Sequence, residues 1–221
     1  MPPSPVARQQ APPGPGRGGV AAIILAAGES SRMGRTKALL PDPDGRPFVA
    51  RLGRTLAAAG VPHIVVVTGT GSDAIARALA ADRAAVVPVV AVNPDPARGQ
   101  ISSLWVGLDA VQALAPDAVL VIPVDIPMVR ASTVRQVVES WRATRALVVR
   151  PAVGARHGHP VLFDRALFDE LRRAPLDRGA RGVVHAHAAG IADVPVDDEG
   201  CLVDVDTPGD YEALMRRPAG P

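Results

Sequence analysis

The sequence predicts an α/β fold: a mostly parallel sheet with helices on both faces. Three observations carry this. Continuous apolar runs of strand length recur along the chain, the mark of strands buried on both faces. Stretches of helical character separate them, which implies strand–helix–strand units. Apolar residues make up 48% of the chain and aromatic ones only 3%, so a sizeable core forms from Val, Leu, Ile and Ala.

Residues 1–19 are rich in Pro, Gly and Arg, lack apolar periodicity and read as a disordered tail. The folded domain is expected over 20–217. Val20–Leu25 reads as the first buried strand, and Ala26–Thr36 as a loop of small and polar residues. Phe48–Ala59 reads as a helix stopped by Gly60. A strand at Ile64–Val67, a helix near Asp73–Ala81 and a strand at Val86–Val92 follow. After the Pro/Gly-rich loop Asn93–Gln100, a helix spans Ser102–Leu114 with Ser at its start. Val119–Ile122 is a fourth strand, ending in the loop Pro123–Arg130. A helix near Ser132–Arg142 and a strand near Leu147–Arg150 come next. The last third is less regular, with strands at His159–Phe163 and Ile191–Val196 and a closing helix at Thr207–Met215.

A length of 221 residues fits one domain. The formal net charge is +2, and Arg8 and Arg17 of the tail account for it. That balance argues against a nucleic-acid-binding surface, which shows clustered Lys and Arg. The single cysteine, Cys201, excludes an intramolecular disulfide and fits a reducing compartment. No apolar run reaches membrane-spanning length, and the N-terminus lacks the apolar stretch of a signal peptide. A cytoplasmic location is therefore expected. One lysine, Lys37, stands against 23 arginines. Under so strong an arginine bias, the surviving lysine marks a position where arginine will not do.

In a parallel α/β sheet, ligands bind in the crevice at the carboxyl ends of the strands. The loops at that end are 26–37, 68–73, 93–103 and 123–130. The first, after Leu25, runs Ala26-Ala27-Gly28-Glu29-Ser30-Ser31-Arg32-Met33-Gly34-Arg35-Thr36-Lys37. Small residues let the backbone approach a ligand, so that its N–H groups bond phosphate or a base edge. Arg32 and Lys37 add two positive charges, and a triphosphate needs both features. Glycine alone would equally fit an ordinary strand–helix turn. The loop is neither a P-loop nor the GxGxxG dinucleotide fingerprint. Thr68 and Gly69, in the second loop, join Leu25, Ala26, Ala27 and Gly28 as nucleotide-contact candidates. Asp125 follows a buried strand directly, so its carboxylate faces the crevice, where hard oxygen ligands suit Mg²⁺. A turn-capping Asp is the alternative. In Asp204-Val205-Asp206-Thr207-Pro208-Gly209-Asp210, Asp206 or Thr207 serves equally well as a helix cap or near a metal.

The stretch LAAGESSRMGRTKALL resembles the signature LAxGxSxRMGxxKxLL of the MobA/MocA-like nucleotidyltransferases. Five further matches carry the resemblance across residues 20–215. Asp125 stands at the family's metal-binding Asp. Asp204–Asp210 is similar to its D-x-D-T-P-x-D segment. Asn93-Pro94…Gly99-Gln100-Ile101-Ser102-Ser103-Leu104 resembles N-P…G-M-x-x-S-L, with Gln100 for Met. Gly158-His159-Pro160 and Asp177–Arg181 resemble G-H-P-V-L-F and G-D-x-G-A-R, with Leu176 in place of the first Gly.

The resemblance implies a Rossmann-like nucleotidyltransferase fold, with Arg32 and Lys37 on the phosphates as catalytic groups beside Asp125. It implies Mg²⁺ held by Asp125 and Asp206. Asn93, Ser102 and Ser103 become nucleotide contacts, though both serines also fit as helix caps. His159, Arg178 and Arg181 fall near the acceptor, although the arginines also fit a solvated helix start. Ala27 matches the MocA type, which takes CTP, where the GTP-using MobA type has Gly. The implied reaction moves CMP from CTP to the molybdopterin cofactor, with a molybdenum hydroxylase apoprotein as a further partner. Three alternatives stay open: another nucleotide or acceptor, an NAD(P)H-dependent oxidoreductase of the nicotine blue oxidoreductase type, and a catalytically idle molybdenum cofactor chaperone.

Overall fold

The computed structural model describes residues 19–28, 36–70, 72–82, 84 and 86–216. All of the expected tail except Gly19 lies outside them. Gly19 belongs with the folded domain: its N–H donates to the Asp117 carboxylate at 3.0 Å.

The elements follow in chain order: β1 (Val20–Ala26), α1 (Phe48–Ala58), β2 (His63–Thr68), α2 (Asp73–Ala81), β3 (Val89–Val92), α3 (Gln100–Val111), β4 (Ala118–Pro123), α4 (Ala131–Thr144), β5 (Val148–Val153), β6 (Arg156–His157), β7 (Val161–Asp164), α5 (Phe168–Arg173), α6 (Gly179–Ala186), β8 (Ile191–Pro195) and α7 (Pro208–Met215). One sheet takes the order β3-β2-β1-β4-β7-β5-β6, with β8 also paired to β5. The pairs β1–β2, β1–β4, β2–β3 and β5–β8 are parallel. The pairs β4–β7, β5–β7 and β5–β6 are antiparallel. The fold is α/β and Rossmann-like, with helices on both faces. Its parallel half is the half whose apolar runs are plainest in the sequence.

Residue alternation along β1 splits the core into two layers. Ala22 and Ile24 pack with Leu52, Leu56, Leu120 and Trp141 on one face. Ala21 and Ile23 pack with Leu104, Leu108, Val119 and Phe163 on the other. All seven residues of β1 are buried, as a strand covered on both sides requires.

Three boundaries differ from expectation for local reasons. β3 begins at Val89, directly after Pro88, which has no N–H to donate to a sheet ladder. α3 begins at Gln100, two residues before Ser102, because Gly99 at φ +91° forms its N-cap. The strand expected at His159–Phe163 starts at Val161, and the two-residue strand β6 precedes it.

Strand order reverses direction beside β1: the chain builds β2 and β3 on one side, then crosses to place β4 on the other. Ligand crevices form at such a switch point. Leu25 pairs with Pro123 there, and the Val124 N–H donates to the Leu25 carbonyl at 3.0 Å. The loop after β4 is then clamped to the C-terminal segment. An added Cβ on Gly200 would stand 2.2 Å from the Met128 carbonyl oxygen, so only glycine fits the approach. The Val205 N–H donates to the Asp125 carbonyl at 2.8 Å. Asp198, buried to 2% exposure, accepts from the Arg130 N–H at 2.9 Å, the Thr133 hydroxyl at 2.6 Å and the Gly200 N–H at 3.0 Å.

Removing that carboxylate strands several buried donors at once. Asp198→Ala should lower unfolding free energy by roughly 2–4 kcal/mol. Urea denaturation with an unchanged m-value measures it, and a loss under about 0.5 kcal/mol would contradict the role given to Asp198.

Candidate active site

Lys37 opens a short 3-10 turn, Lys37–Leu39, that Ala38 and Leu40 anchor in the core. Its side chain, 14% exposed, reaches across to two carboxylates. Nζ donates to Asp125 Oδ2 at 3.2 Å and to Asp206 Oδ1 at 2.5 Å. These residues come from three separate parts of the chain. Asp125 follows β4, and Asp206 precedes α7. The cap itself belongs to Thr207, whose hydroxyl accepts the Asp210 N–H at 3.2 Å while Asp210 accepts the Thr207 N–H at 2.7 Å. The Asp206 side chain is thereby spared for the crevice. Tyr211 of α7 ties the arrangement back to the Lys37 segment through its hydroxyl, which donates to the Pro41 carbonyl at 3.0 Å.

Electrostatics follow from this geometry. Burial is the largest influence on Lys37 and disfavours the ammonium, yet the hydrogen bonds and charges of Asp206 and Asp125 together outweigh it and raise its pKa. Burial likewise dominates at Asp125, raising its carboxyl above the usual range against the opposing pull of Lys37. Hydrogen bonds from Thr207 hold the Asp210 carboxyl below that range.

Two clefts meet at this cluster. The smaller, about 340 Å³, is lined by Leu25, Ala26, Ala27, Gly28, Lys37, Ser103, Asp125 and Asp206. Ala38, Pro96, Gly99, Gln100, Pro123 and Val124 complete it, and of these Gln100 stands out in the sequence as a departure from the family pattern. The larger, about 1160 Å³, takes in His159, Arg178, Arg181 and Asp204. Asp125 lines both.

Several sequence candidates lie elsewhere. Asn93 is buried and spends its amide on the Ser102 and Ser103 hydroxyls at 2.9 and 3.0 Å, while its Oδ1 accepts the Asp95 N–H. The Ser102 hydroxyl donates to the Gly99 carbonyl at 2.8 Å. Asn93 and Ser102 thus brace the loop ahead of α3 and do not line the cleft; only Ser103 of the three does. Thr68 is buried, its hydroxyl directed at the Ala91 carbonyl, and Gly69 packs beside Ala27; neither lines the cleft. Arg32 lies outside the described residues.

The carboxylate pair fits a divalent cation by its donor chemistry. Asp125 and Asp206 already converge on one cationic atom. Among the described residues, no group of three or more His, Cys, Asp or Glu could hold a metal ion. A site of two carboxylates completed by phosphate oxygens and water is the pattern Mg²⁺ prefers.

The family model of the MobA-like NTP transferase domain matches residues 22–191. The chain belongs to this family. It is 32% identical over 197 residues to nicotine blue oxidoreductase of Paenarthrobacter nicotinovorans, covering 85% of this chain and 92% of that one. It is 36% identical over 112 residues to a molybdenum cofactor guanylyltransferase of Xanthomonas euvesicatoria, covering about half of each. Among solved structures, Rv0371c of Mycobacterium tuberculosis H37Rv superposes with a TM-score of 0.74 at 28% identity, covering 91% of this chain and all of that one. A second structure of Rv0371c, in complex with manganese, gives a TM-score of 0.69 at 26% identity, covering 90% and 98%. No helix among the described residues is long and apolar enough to cross a membrane.

His159 supplies a test of the larger cleft. Burial pushes its pKa down to about 4, against a smaller opposing pull from Asp204. The folded chain therefore keeps this imidazole neutral while the unfolded chain protonates it near 6.5. Its contribution to stability is present above that value and is lost as the pH falls towards 4. An NMR titration should show the His159 ring unprotonated at pH 5.5, and a midpoint near 6.5 would contradict the burial.

Proposed function

We propose that this chain transfers CMP from CTP to the terminal phosphate of the molybdopterin cofactor, with Mg²⁺, in the cytoplasm. One observation carries the reading: the Lys37–Asp125–Asp206 cluster sits where a small cleft and a large one meet. The small cleft, with the Ala26–Gly28 backbone on its wall, suits the nucleoside triphosphate. The large cleft suits the bulkier acceptor, with His159, Arg178 and Arg181 around it. Asp125 touches both volumes, as a group between acceptor phosphate and α-phosphate must.

The acceptor phosphate is already ionised at neutral pH, so no general base is required. An acceptor oxygen forms the new bond to the α-phosphorus as the bond to the bridging β-phosphate oxygen breaks, and pyrophosphate leaves. Asp125 and Asp206 would hold Mg²⁺, which neutralises phosphate charge and aligns the reacting groups. Lys37 contributes a fixed positive charge beside the phosphates, and Arg32 a second. The membership of the MobA-like family and the manganese complex of Rv0371c support the metal and the transfer. Ala27, whose methyl-bearing backbone lines the small cleft, supports CTP.

The relative named nicotine blue oxidoreductase matches more of this chain than the guanylyltransferase does. That coverage favours a second reading, reduction of a heterocycle by NAD(P)H in the same two clefts. Pyrophosphate release from CTP and molybdopterin, read beside NADPH oxidation, separates the two. Cytidylyl transfer predicts the first signal only. Lys37→Ala should then lower pyrophosphate release at least about 10²-fold. Lys37→Arg should fail comparably, because a planar guanidinium does not replace a compact ammonium between two carboxylates. Undiminished turnover in Lys37→Ala would remove Lys37 from the mechanism.

A further inference from the structure

One wall of the larger cleft is built by the distal strands. Arg150 of β5 and His157 of β6 line it, and neither touches the smaller cleft. Asp193 of β8 lies directly across from Arg150 in the β5–β8 register. The Arg150 Nε donates to Asp193 Oδ1 at 2.7 Å. His157 Nε2 lies 3.2 Å from Asp193 Oδ2. The carboxylate is gripped at both oxygens, so it cannot swing without losing a partner. Arg150 is only 20% exposed, and its two terminal nitrogens make no hydrogen bond among the described residues. A guanidinium held by Nε alone keeps a planar two-nitrogen edge for something else.

The floor beneath this edge is apolar. Val121 of β4 and Val161 and Phe163 of β7 line the same cleft. Phe163 pairs with Val148, two residues before Arg150, so by strand alternation they share a face of the sheet with Arg150. A flat apolar floor edged by a planar donor pair fits a nitrogen heterocycle lying on the floor, with an exocyclic carbonyl oxygen and a neighbouring ring nitrogen turned to the arginine. Arginine makes the same two parallel bonds to the O6 and N7 edge of guanine.

We propose that Arg150 reads the ring edge of the acceptor and that Asp193 is the positioning residue that aims it. This rests on the acceptor reading of the larger cleft given above. It makes the wall a specificity device: a ring lacking that acceptor pair leaves the two terminal nitrogens of the guanidinium without partners and is rejected.

Free pterin, followed by its fluorescence, tests this on the full chain, with CTP plus Mn²⁺ binding as the control for a folded nucleotide cleft. Arg150→Gln and Arg150→Lys should each weaken pterin binding about tenfold, with CTP affinity held within about twofold. The lysine variant decides between a fork and a mere charge, because it keeps the charge and loses the fork. Asp193→Asn should weaken pterin several-fold with Arg150 still present. Wild-type pterin affinity in Arg150→Gln or in Asp193→Asn, or no pterin binding by the wild type, overturns the proposal. Molybdopterin-dependent pyrophosphate release is read separately. Pterin binding that depends on Arg150 without such turnover keeps this proposal and removes the cytidylyl reading. Turnover indifferent to Arg150 and Asp193 does the reverse.

Discussion

Two carboxylates and one ammonium hold this molecule's site together. Asp125 and Asp206 stand close enough to share Lys37 Nζ, and like charges so placed repel unless a cation joins them. Lys37 is that cation, and it is the only lysine in the chain. A compact point charge on a flexible stem reaches between two carboxylates with one atom, whereas a guanidinium would present a broader, rigid planar fork there. The geometry thereby gives a physical reason for a lysine at 37 in a chain that otherwise uses arginine.

The fold exists to keep these groups in register. The reversal of strand order beside β1 opens a crevice, and the Leu25–Pro123 pairing places the loop after β4 at its rim. The C-terminal segment then closes it. The Val205 N–H bonds the Asp125 carbonyl, Gly200 nests against Met128, and Tyr211 reaches the Pro41 carbonyl. Asp206 is thus delivered by contacts spread over much of the chain. Disturbing the carboxylate pair should be felt in the smaller and larger clefts together, because Asp125 belongs to both.

The parallel half of the fold was legible because strands buried on both faces are built from apolar runs, and β1, β4 and the Ile64–Val67 stretch of β2 are such runs. The distal half was not. β6 is two residues long, and β7 runs antiparallel between β4 and β5, a pairing no local pattern encodes. At the site, Asp125 was legible from its place after a core strand, and Lys37 from its singularity. Polar residues beside a crevice either face it or brace the loop that forms it; the sequence leaves Ser102 open to both, and in the structure Asn93 and Ser102 brace. Arg150 and Asp193 gave no signal, since one sits inside a strand of apolar residues and their pairing depends on the β5–β8 register.

On the proposed function, Asp125 and Asp206 form one divalent-metal site that works with a nucleoside triphosphate. Mn²⁺ binding followed by electron paramagnetic resonance, with and without CTP, tests it most directly. One tightly bound ion per chain should tighten with CTP and be lost when both residues are changed to Asn. Mn²⁺ bound equally well by the doubly substituted chain would contradict it.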